Sequence, residues 1–262
     1  MPLEVISKIY SEQTDKPSIV LIHGACMGAW VWEGNFMDYF YAAGHSVYAL
    51  SLSHHANSGG DGALRWTSIR RYVQDLEEVV DGIAGPVFLI GHSMGGFTIQ
   101  HYMKHPAKQV VGAALLCSAP VYGLWHLIGK LLFHYPFHFF QSVLQMSWLP
   151  VMKDASRLKR VMFRNDFQEQ QMAPVMSKLQ DESFLAFLEM VFLRLPKLKR
   201  FPVPVLVVGA DKDYLISVND TQRMARHYGV DALIVKDVSH CLMLETGWEI
   251  VAEKIKSFAH QH

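Results

Sequence analysis

The 262-residue chain has little of three things: cysteine, net charge and long apolar sequence. Its three cysteines are far apart and odd in number, which predicts a reducing compartment, the cytoplasm, and argues against a disulfide framework. Lysine plus arginine and aspartate plus glutamate both total 24, so the charge gives no reason to expect a nucleic acid or an acidic membrane surface as a partner. No window of about 18 residues lacks charges and helix breakers, which argues against a transmembrane helix. Residues 1–8 lack the layout of a secretion signal.

The apolar residues, which make up half of the chain, fall into short runs that alternate with helical patterns. Each run is continuous rather than alternating, as in parallel strands whose two faces are covered by helices. Residues 69–83 have apolar side chains at helical spacing, with Asp75 assigned to the opposite, polar face. The sequence therefore predicts an α/β fold with a mostly parallel sheet and an antiparallel edge strand over residues 3–10. The other predicted strands are residues 19–22, 46–50, 87–90, 113–116, 204–208 and 232–238, with further helices near 218–228 and at the end of the chain.

Residues 121–200 interrupt this alternation and are predicted to form a helical insertion in a core made of residues 1–120 and 201–262. The insertion has eleven lysines and arginines against six aspartates and glutamates, and it is rich in aromatic residues and methionine. Between two strands of an α/β sheet, such a segment is predicted to be a cap over the strand ends, where these sheets bind ligands. A helical layer that packs only for stability is the alternative. Several of the predicted helices are apolar on more than one face, which favours the cap.

A candidate nucleophile lies in the motif Gly-His-Ser-Met-Gly at residues 91–95, between the predicted strand at 87–90 and a predicted helix. A Gly-x-Ser-x-Gly at such a junction forms a sharp, strained turn, which places the serine hydroxyl beyond the end of the sheet. The hydroxyl is a poor nucleophile until a base takes its proton and a third group orients that base. The motif therefore predicts that Ser93 works with a base and an acid from elsewhere in the chain.

Two later stretches make the chain resemble an α/β-hydrolase along nearly its whole length outside the predicted cap. In that fold the acid and the histidine follow the serine in this order, each beyond its own strand. Residues 205–213 resemble the family's strand and acid turn, and residues 237–245 resemble its histidine loop. The resemblance implies Asp213 as the acid and His240 as the base, with Asp211 as the alternative acid.

The resemblance also implies an oxyanion hole, because the developing negative charge needs fixed donors. One donor is the backbone N–H of Met94, which follows the nucleophile at the start of its helix. Residues 23–30 resemble the family's HGxxxGxW loop. That loop implies the N–H of Ala25 as the second donor, with Cys26 as the alternative.

Other histidines and cysteines receive no catalytic role in this interpretation. His92 is typical of the family's nucleophile turn and is predicted to be structural. His54 and His55 stand where many relatives have Gly-His-Gly, and a metal site there lacks a third ligand at suitable spacing. No metal and no cofactor are therefore predicted. The cysteines at positions 26, 117 and 241 are expected near the site as buried thiols.

The loop at 23–32 most resembles the branch that includes plant methylesterases, hydroxynitrile lyases and bacterial carboxylesterases. Related lyases have a lysine after the catalytic histidine, where this chain has Cys241, and related dehalogenases and epoxide hydrolases have aspartate in place of Ser93. The resemblance thus implies a serine carboxylesterase or lipase-like enzyme that cleaves a small ester with an apolar acyl group through an acyl-enzyme. A thioesterase, a hydrolase of carbon–carbon bonds and a ligand-binding receptor with the same fold stay open, as does the oligomeric state.

Overall fold

The computed structural model describes residues 2–12, 14–164 and 166–261. In these residues seven strands form one sheet: β1 (Glu4–Lys8), β2 (Ser18–Ile22), β3 (Val47–Ser51), β4 (Val87–His92), β5 (Val110–Leu116), β6 (Val205–Ala210) and β7 (Ala232–Val235). Their order in the sheet is β1-β3-β2-β4-β5-β6-β7. Of the neighbouring pairs, β1 and β3 run antiparallel and the others run parallel. The predicted α/β fold with its antiparallel edge strand is confirmed.

The continuous apolar runs form strands because both faces of the inner sheet are covered. Every residue of β4 is buried, and so are all residues of β2 except Ser18. Strand β7 ends earlier than predicted, at Val235. Shortly beyond it the chain turns at Asp237, whose φ of 55° is incompatible with a continuing strand.

The α-helices of the described residues lie between and after these strands. Five belong to the α/β alternation: α1 (Phe36–Ala42), α2 (Ile69–Asp81), α3 (Met94–Tyr102), α10 (Val218–Tyr228) and α11 (Trp248–Ala259). Six lie between β5 and β6: α4 (Trp125–His134), α5 (Pro136–Gln145), α6 (Leu149–Met152), α7 (Ala155–Met162), α8 (Glu169–Lys178) and α9 (Phe184–Leu188), the last continuing into a π-helical turn at Glu189–Leu193. None of the helices in the described part of the chain is long and apolar enough to span a membrane.

The prediction that Asp75 lies on the polar face of α2 is wrong. Its side chain is fully buried, and its carboxylate accepts hydrogen bonds from the N–H (2.7 Å) and the hydroxyl (2.8 Å) of Ser53. Arg71, one turn earlier on the helix, pairs with the same carboxylate at 3.0 Å. The loop that follows β3 covers this side of α2, and the spacing of residues along one helix contains no information about that loop.

The insertion between β5 and β6 has apolar side chains on two sides. On α4, Leu127 and Leu131 are buried. On the outer side of α4 and α5, Phe133, Phe137 and Leu144 are exposed. The apolar residues that the sequence places on more than one helix face therefore do not all contribute to the core.

The strand order reverses between β2 and β4, because β3 lies on the far side of β2 and β5 on the far side of β4. Connections that leave neighbouring strands in opposite directions open a crevice at the carboxyl ends of those strands. The loop after β2 and the turn at Ser93 both begin at this crevice. The fold thus brings together two of the sequence motifs.

Candidate active site

Ser93 occupies a strained turn between β4 and α3. Its backbone has φ 50° and ψ −112°, in a region that residues other than glycine rarely adopt. The neighbouring structure holds this conformation: the Ser93 N–H donates to the Leu116 carbonyl (2.9 Å), and the Ser93 carbonyl accepts from the N–H groups of Phe97 (3.1 Å) and Ala119 (3.3 Å). The serine is therefore presented rigidly at the end of the strand.

Two glycines allow the backbones around this turn to approach closely. A Cβ atom on Gly95 would lie 2.4 Å from the Ile22 carbonyl oxygen. A Cβ atom on Gly24 would lie 2.6 Å from Nδ1 of His92. Because neither contact is sterically possible, any side chain at these positions would separate the loop after β2 from the nucleophile turn.

His240 and Asp213 form a hydrogen-bonded pair inside the protein. Nδ1 of His240 lies 2.8 Å from Oδ2 of Asp213, and the two side chains are 1% and 0% exposed. The other carboxylate oxygen, Oδ1, accepts from the N–H groups of Leu215 (2.8 Å) and Ile216 (2.9 Å). The acid is thereby held in one orientation, and its bond to Nδ1 leaves Nε2 of the imidazole available to take a proton.

Asp211, the alternative acid, has different partners. Its Oδ1 accepts from the N–H of Asp237 (2.7 Å), and its Oδ2 lies 3.5 Å from Nζ of Lys212. Its side chain therefore stabilises the turn that follows β7. Of the two candidate acids, the structure brings only Asp213 to the histidine.

The two predicted oxyanion donors come from two different segments of the chain. Met94 is the first residue of α3, and Ala25 lies in the loop after β2. Neither N–H has a hydrogen-bond partner among the described residues, as a donor reserved for a ligand requires. The N–H of Cys26, the alternative donor, is occupied, because it donates to Oε2 of Glu182 at 3.0 Å.

Ser93 and His240 line the same cavity beneath the insertion, together with Ala25. No hydrogen bond joins the Ser93 hydroxyl to His240 in the part of the chain that the structure describes, and such bonds are often long until a substrate is bound. The rest of the lining is almost entirely apolar. It comes mainly from the insertion: Leu124, Leu127, Leu131, Trp148, Val151, Met152, Val161, Met162, Phe187 and Met190.

Comparison with known sequences identifies the family. Residues 19–254 match the profile of a family described as the alpha/beta hydrolase family. The chain belongs to this family. Among curated relatives, the chain is 35% identical to Methylesterase 2 of Arabidopsis thaliana over 116 residues, which are 42% of this chain and 43% of the relative. It is 36% identical to polyneuridine aldehyde esterase of Rauvolfia serpentina over 106 residues, or 38% of each chain. The chain thus matches less than half the length of these relatives.

Solved structures with the same fold cover almost the whole chain. A monoacylglycerol lipase of Paleococcus ferrophilus superposes over 100% of both chains with a TM-score of 0.71 and 17% identity. The structure of polyneuridine aldehyde esterase superposes over 92% of this chain and 99% of its own, with a TM-score of 0.70 and 20% identity. At these identities the likeness establishes the fold alone.

Two buried histidines form hydrogen bonds with backbone groups around the site. His23 donates from Nδ1 to the Gly24 carbonyl (2.7 Å) and accepts at Nε2 from the Leu52 N–H (3.0 Å), and burial lowers its pKa to about 3. His92 donates from Nε2 to the carbonyl of His240 (3.0 Å), and burial holds its pKa well below the usual range. Both rings are therefore neutral and connect the loops that carry the site.

The pair at positions 54 and 55 does not form a metal site in the described residues. His55 is buried and lies 3.0 Å from Glu182, a residue that the sequence analysis missed. Nothing in the sequence near Glu182 marks it, because its partners Cys26, His55 and Tyr72 are more than a hundred positions away.

The three cysteines are buried and unpaired, as predicted. Burial raises the pKa of each thiol, so the thiols stay protonated. Of the three cysteines, Cys117 lies near both Asp213 and His240. Its Sγ, a carboxylate oxygen of Asp213 and a ring nitrogen of His240 all lie within 4.8 Å of one another. A protonated thiol is a poor metal ligand, and the other two groups already bind each other.

Low pH should destabilise the folded protein because His101 is neutral in the folded state and must be protonated in acid. Burial, and then the nearby Lys104, lowers the pKa of His101 to about 4. The unfolded chain binds this proton at about pH 6.5, so between about pH 6.5 and 4 it holds more protons than the folded chain. The free energy of unfolding should therefore decrease as the pH is lowered through this window, by up to about 1.4 kcal/mol per pH unit from this residue.

Urea titrations of His101→Gln at several pH values would measure this effect. Glutamine keeps an N–H donor for the Arg194 carbonyl, which His101 contacts at 2.9 Å, but it does not titrate. We expect a shallower dependence of the unfolding free energy on pH in this variant. His105→Gln, at an exposed position on the same side of the fold, should keep the wild-type slope. Equal slopes in all three proteins would contradict the assignment.

Proposed function

We propose that the protein is a serine hydrolase that cleaves small carboxylic esters with an apolar acyl group. The observation that carries the proposal is the buried hydrogen bond between His240 and Asp213 at a cavity that Ser93 also lines. A strained serine, an oriented imidazole and a carboxylate are the three groups that acyl transfer requires. The curated relatives named methylesterase and esterase support the same reaction class.

The reaction follows from the arrangement in two halves. Nε2 of His240 takes the proton of the Ser93 hydroxyl as its oxygen attacks the ester carbonyl, and the resulting oxyanion accepts from the N–H groups of Ala25 and Met94. His240 then donates the proton to the departing alkoxide, which leaves as the alcohol, and Ser93 carries the acyl group. In the second half His240 takes a proton from water, whose oxygen attacks the acyl-enzyme. The bond between the acyl group and Ser93 then breaks, His240 returns the proton to the Ser93 oxygen, and the acid is released.

The lining of the cavity supports an apolar acyl group. Aliphatic and aromatic side chains of the insertion surround the space next to Ser93, and a pocket of this kind binds a substrate mainly by removing apolar surface from water. We propose that the insertion acts as a cap that provides this lining. Thioesters and carbon–carbon bonds activated by a neighbouring carbonyl would use the same groups, so the bond that is cleaved must be determined by experiment.

A labelling and turnover experiment tests the proposal. A fluorophosphonate probe should form a covalent adduct on Ser93, located by mass spectrometry of the digested protein. A panel of p-nitrophenyl and methyl esters with acyl chains of increasing length, together with matched thioesters, should give turnover that improves with apolar length until the cavity is filled. Saturable binding of the same compounds without an adduct or turnover would contradict a hydrolase and favour a receptor.

A further inference from the structure

One short piece of the insertion holds the loop that contains the proposed oxyanion donor. The N–H of Gln180 donates to the Cys26 carbonyl at 3.1 Å, and Oε2 of Glu182 accepts from the Cys26 N–H at 3.0 Å. Cys26 has φ 65°, a left-handed conformation that is uncommon outside glycine. Both backbone groups of this strained residue are thus fixed by residues 180–182.

The carboxylate of Glu182 is itself held from several sides. Its side chain is 1% exposed, and Oε1 accepts from the hydroxyl of Tyr72 (2.9 Å) and the N–H of Ser183 (2.7 Å). Oε2 also lies 3.0 Å from Nε2 of His55, whose Nδ1 lies 3.0 Å from the Ser53 carbonyl. Because both nitrogens of that ring face acceptors, the geometry fits a doubly protonated imidazolium next to an ionised carboxylate.

The pKa values of the pair agree with this assignment. Burial alone would lower the pKa of His55, but the charge and hydrogen bond of Glu182 outweigh burial and raise it. Burial alone would raise the pKa of Glu182, and the charge of His55 outweighs burial and lowers it. A buried ion pair of this kind contributes little net stability. Its effect is to fix the positions of the groups that the Glu182 carboxylate contacts.

We propose that Glu182 is a positioning residue for the oxyanion hole, an inference that rests on the proposed function. By holding the Cys26 N–H, the carboxylate fixes the peptide plane between Ala25 and Cys26. That plane joins Ala25 on its carboxyl side, so fixing it restrains the backbone torsion angles of Ala25 that set the direction of the Ala25 N–H. The same contact prevents the Cys26 N–H from taking the place of that donor. The insertion therefore contributes to the catalytic geometry as well as to the lining of the cavity.

Replacement of Glu182 tests this role. In Glu182→Ala the loop loses its acceptor, and kcat for an ester should fall about 100-fold, the scale of a 1 Å misplacement or of one lost oxyanion donor. Glu182 also borders the cavity, but its side chain is only 1% exposed and the aliphatic and aromatic lining is unchanged, so the KM should stay within about threefold. Glu182→Gln retains one acceptor oxygen but places an amide N–H₂ toward a donor, so its kcat should fall about tenfold and no further than that of the alanine variant.

A pair of inhibitors distinguishes positioning from general loosening of the fold. A trifluoromethyl ketone forms a tetrahedral oxyanion adduct with the serine, and its affinity should fall in parallel with kcat/KM. The corresponding secondary alcohol has no carbonyl, so its affinity for Glu182→Ala should remain that of the wild type. Loss of affinity for both compounds would overturn the positioning role.

Glu189→Gln is the matched control. Glu189 is another buried glutamate of the insertion, and its carboxylate accepts from the N–H of Ile69 and pairs with Arg194. Its kcat should stay within about threefold of the wild type. A Glu189 variant as impaired as the Glu182 variants would overturn the inference.

The outcomes separate this inference from the proposed function. If the wild type depends on Ser93 for turnover and both Glu182 variants keep kcat within about threefold, the inference is overturned and the proposed function stands. If the wild type neither hydrolyses esters nor forms the fluorophosphonate adduct, both are overturned. Where Glu182→Ala fails to fold, Glu182→Gln with its expected tenfold loss decides the question.

Discussion

Replacement of Ser93 by alanine is expected to lower kcat for the preferred ester by about 10⁵- to 10⁶-fold, the size of the effect of removing the nucleophile of a serine hydrolase. The hydroxyl oxygen is the only heavy atom removed, and the hydrogen bonds that hold the turn come from the backbone of residue 93. The variant should therefore fold normally and still bind substrate. What it loses is the oxygen that attacks the carbonyl.

The measurement is steady-state hydrolysis, with thermal unfolding and substrate binding followed in parallel. Ser142→Ala is a suitable control, because that serine is buried and its hydroxyl has no partner in the described residues. It should keep wild-type turnover. Activity of Ser93→Ala above one per cent of the wild type would contradict the mechanism, whatever its stability.

Replacement of Asp213 by asparagine is expected to lower kcat by about 10⁴-fold. The N–H groups of Leu215 and Ile216 both donate to Oδ1 and require an acceptor there, so the amide oxygen should occupy that position. The amide N–H₂ then faces Nδ1 of His240. A neutral imidazole in this environment accepts at Nδ1 and carries its proton on Nε2, where it cannot take the proton of Ser93.

Kinetics of Asp213→Asn and Asp211→Asn should differ sharply. The Asp211 carboxylate accepts from the N–H of Asp237, a bond that an amide oxygen preserves, and it does not contact His240. We expect kcat of Asp211→Asn within about twofold of the wild type and KM of both variants near the wild-type value. A larger loss in Asp211→Asn than in Asp213→Asn would reverse the assignment of the acid.

The nucleophile turn is predictable because its cause is local. A buried strand, a Gly-x-Ser-x-Gly and an apolar helix follow one another along the chain. The first glycine of the motif, Gly91, is required by the turn itself, because a Cβ atom there would lie 2.6 Å from the carbonyl carbon of Gly95. The same holds for the ends of the helices. The helix predicted near 218–228 is α10, whose first turn is capped by the Ser217 side chain and which ends at Gly229 with φ 74°.

Features that depend on distant partners were not predictable in the same way. Asp75 fits the polar face of α2 by spacing alone, yet a loop covers it and supplies donors. Glu182 lies 156 residues from Cys26 and 127 from His55, and no local pattern connects them. The choice between Asp211 and Asp213 rested on family resemblance, whereas the observed hydrogen bond to His240 depends on how two loops meet.

By itself the sequence determined the alternation of strands and helices and the strained turn at the serine, since these depend on residue type and spacing over a few positions. The order in which a candidate acid and base follow the serine came from the resemblance to the family. The tertiary structure decided which carboxylate meets the histidine, which backbone N–H stays unbound, and that a glutamate of the insertion holds the loop after β2. These outcomes depend on the packing of segments far apart in the chain, where distance and burial, rather than spacing, set the energy of each contact.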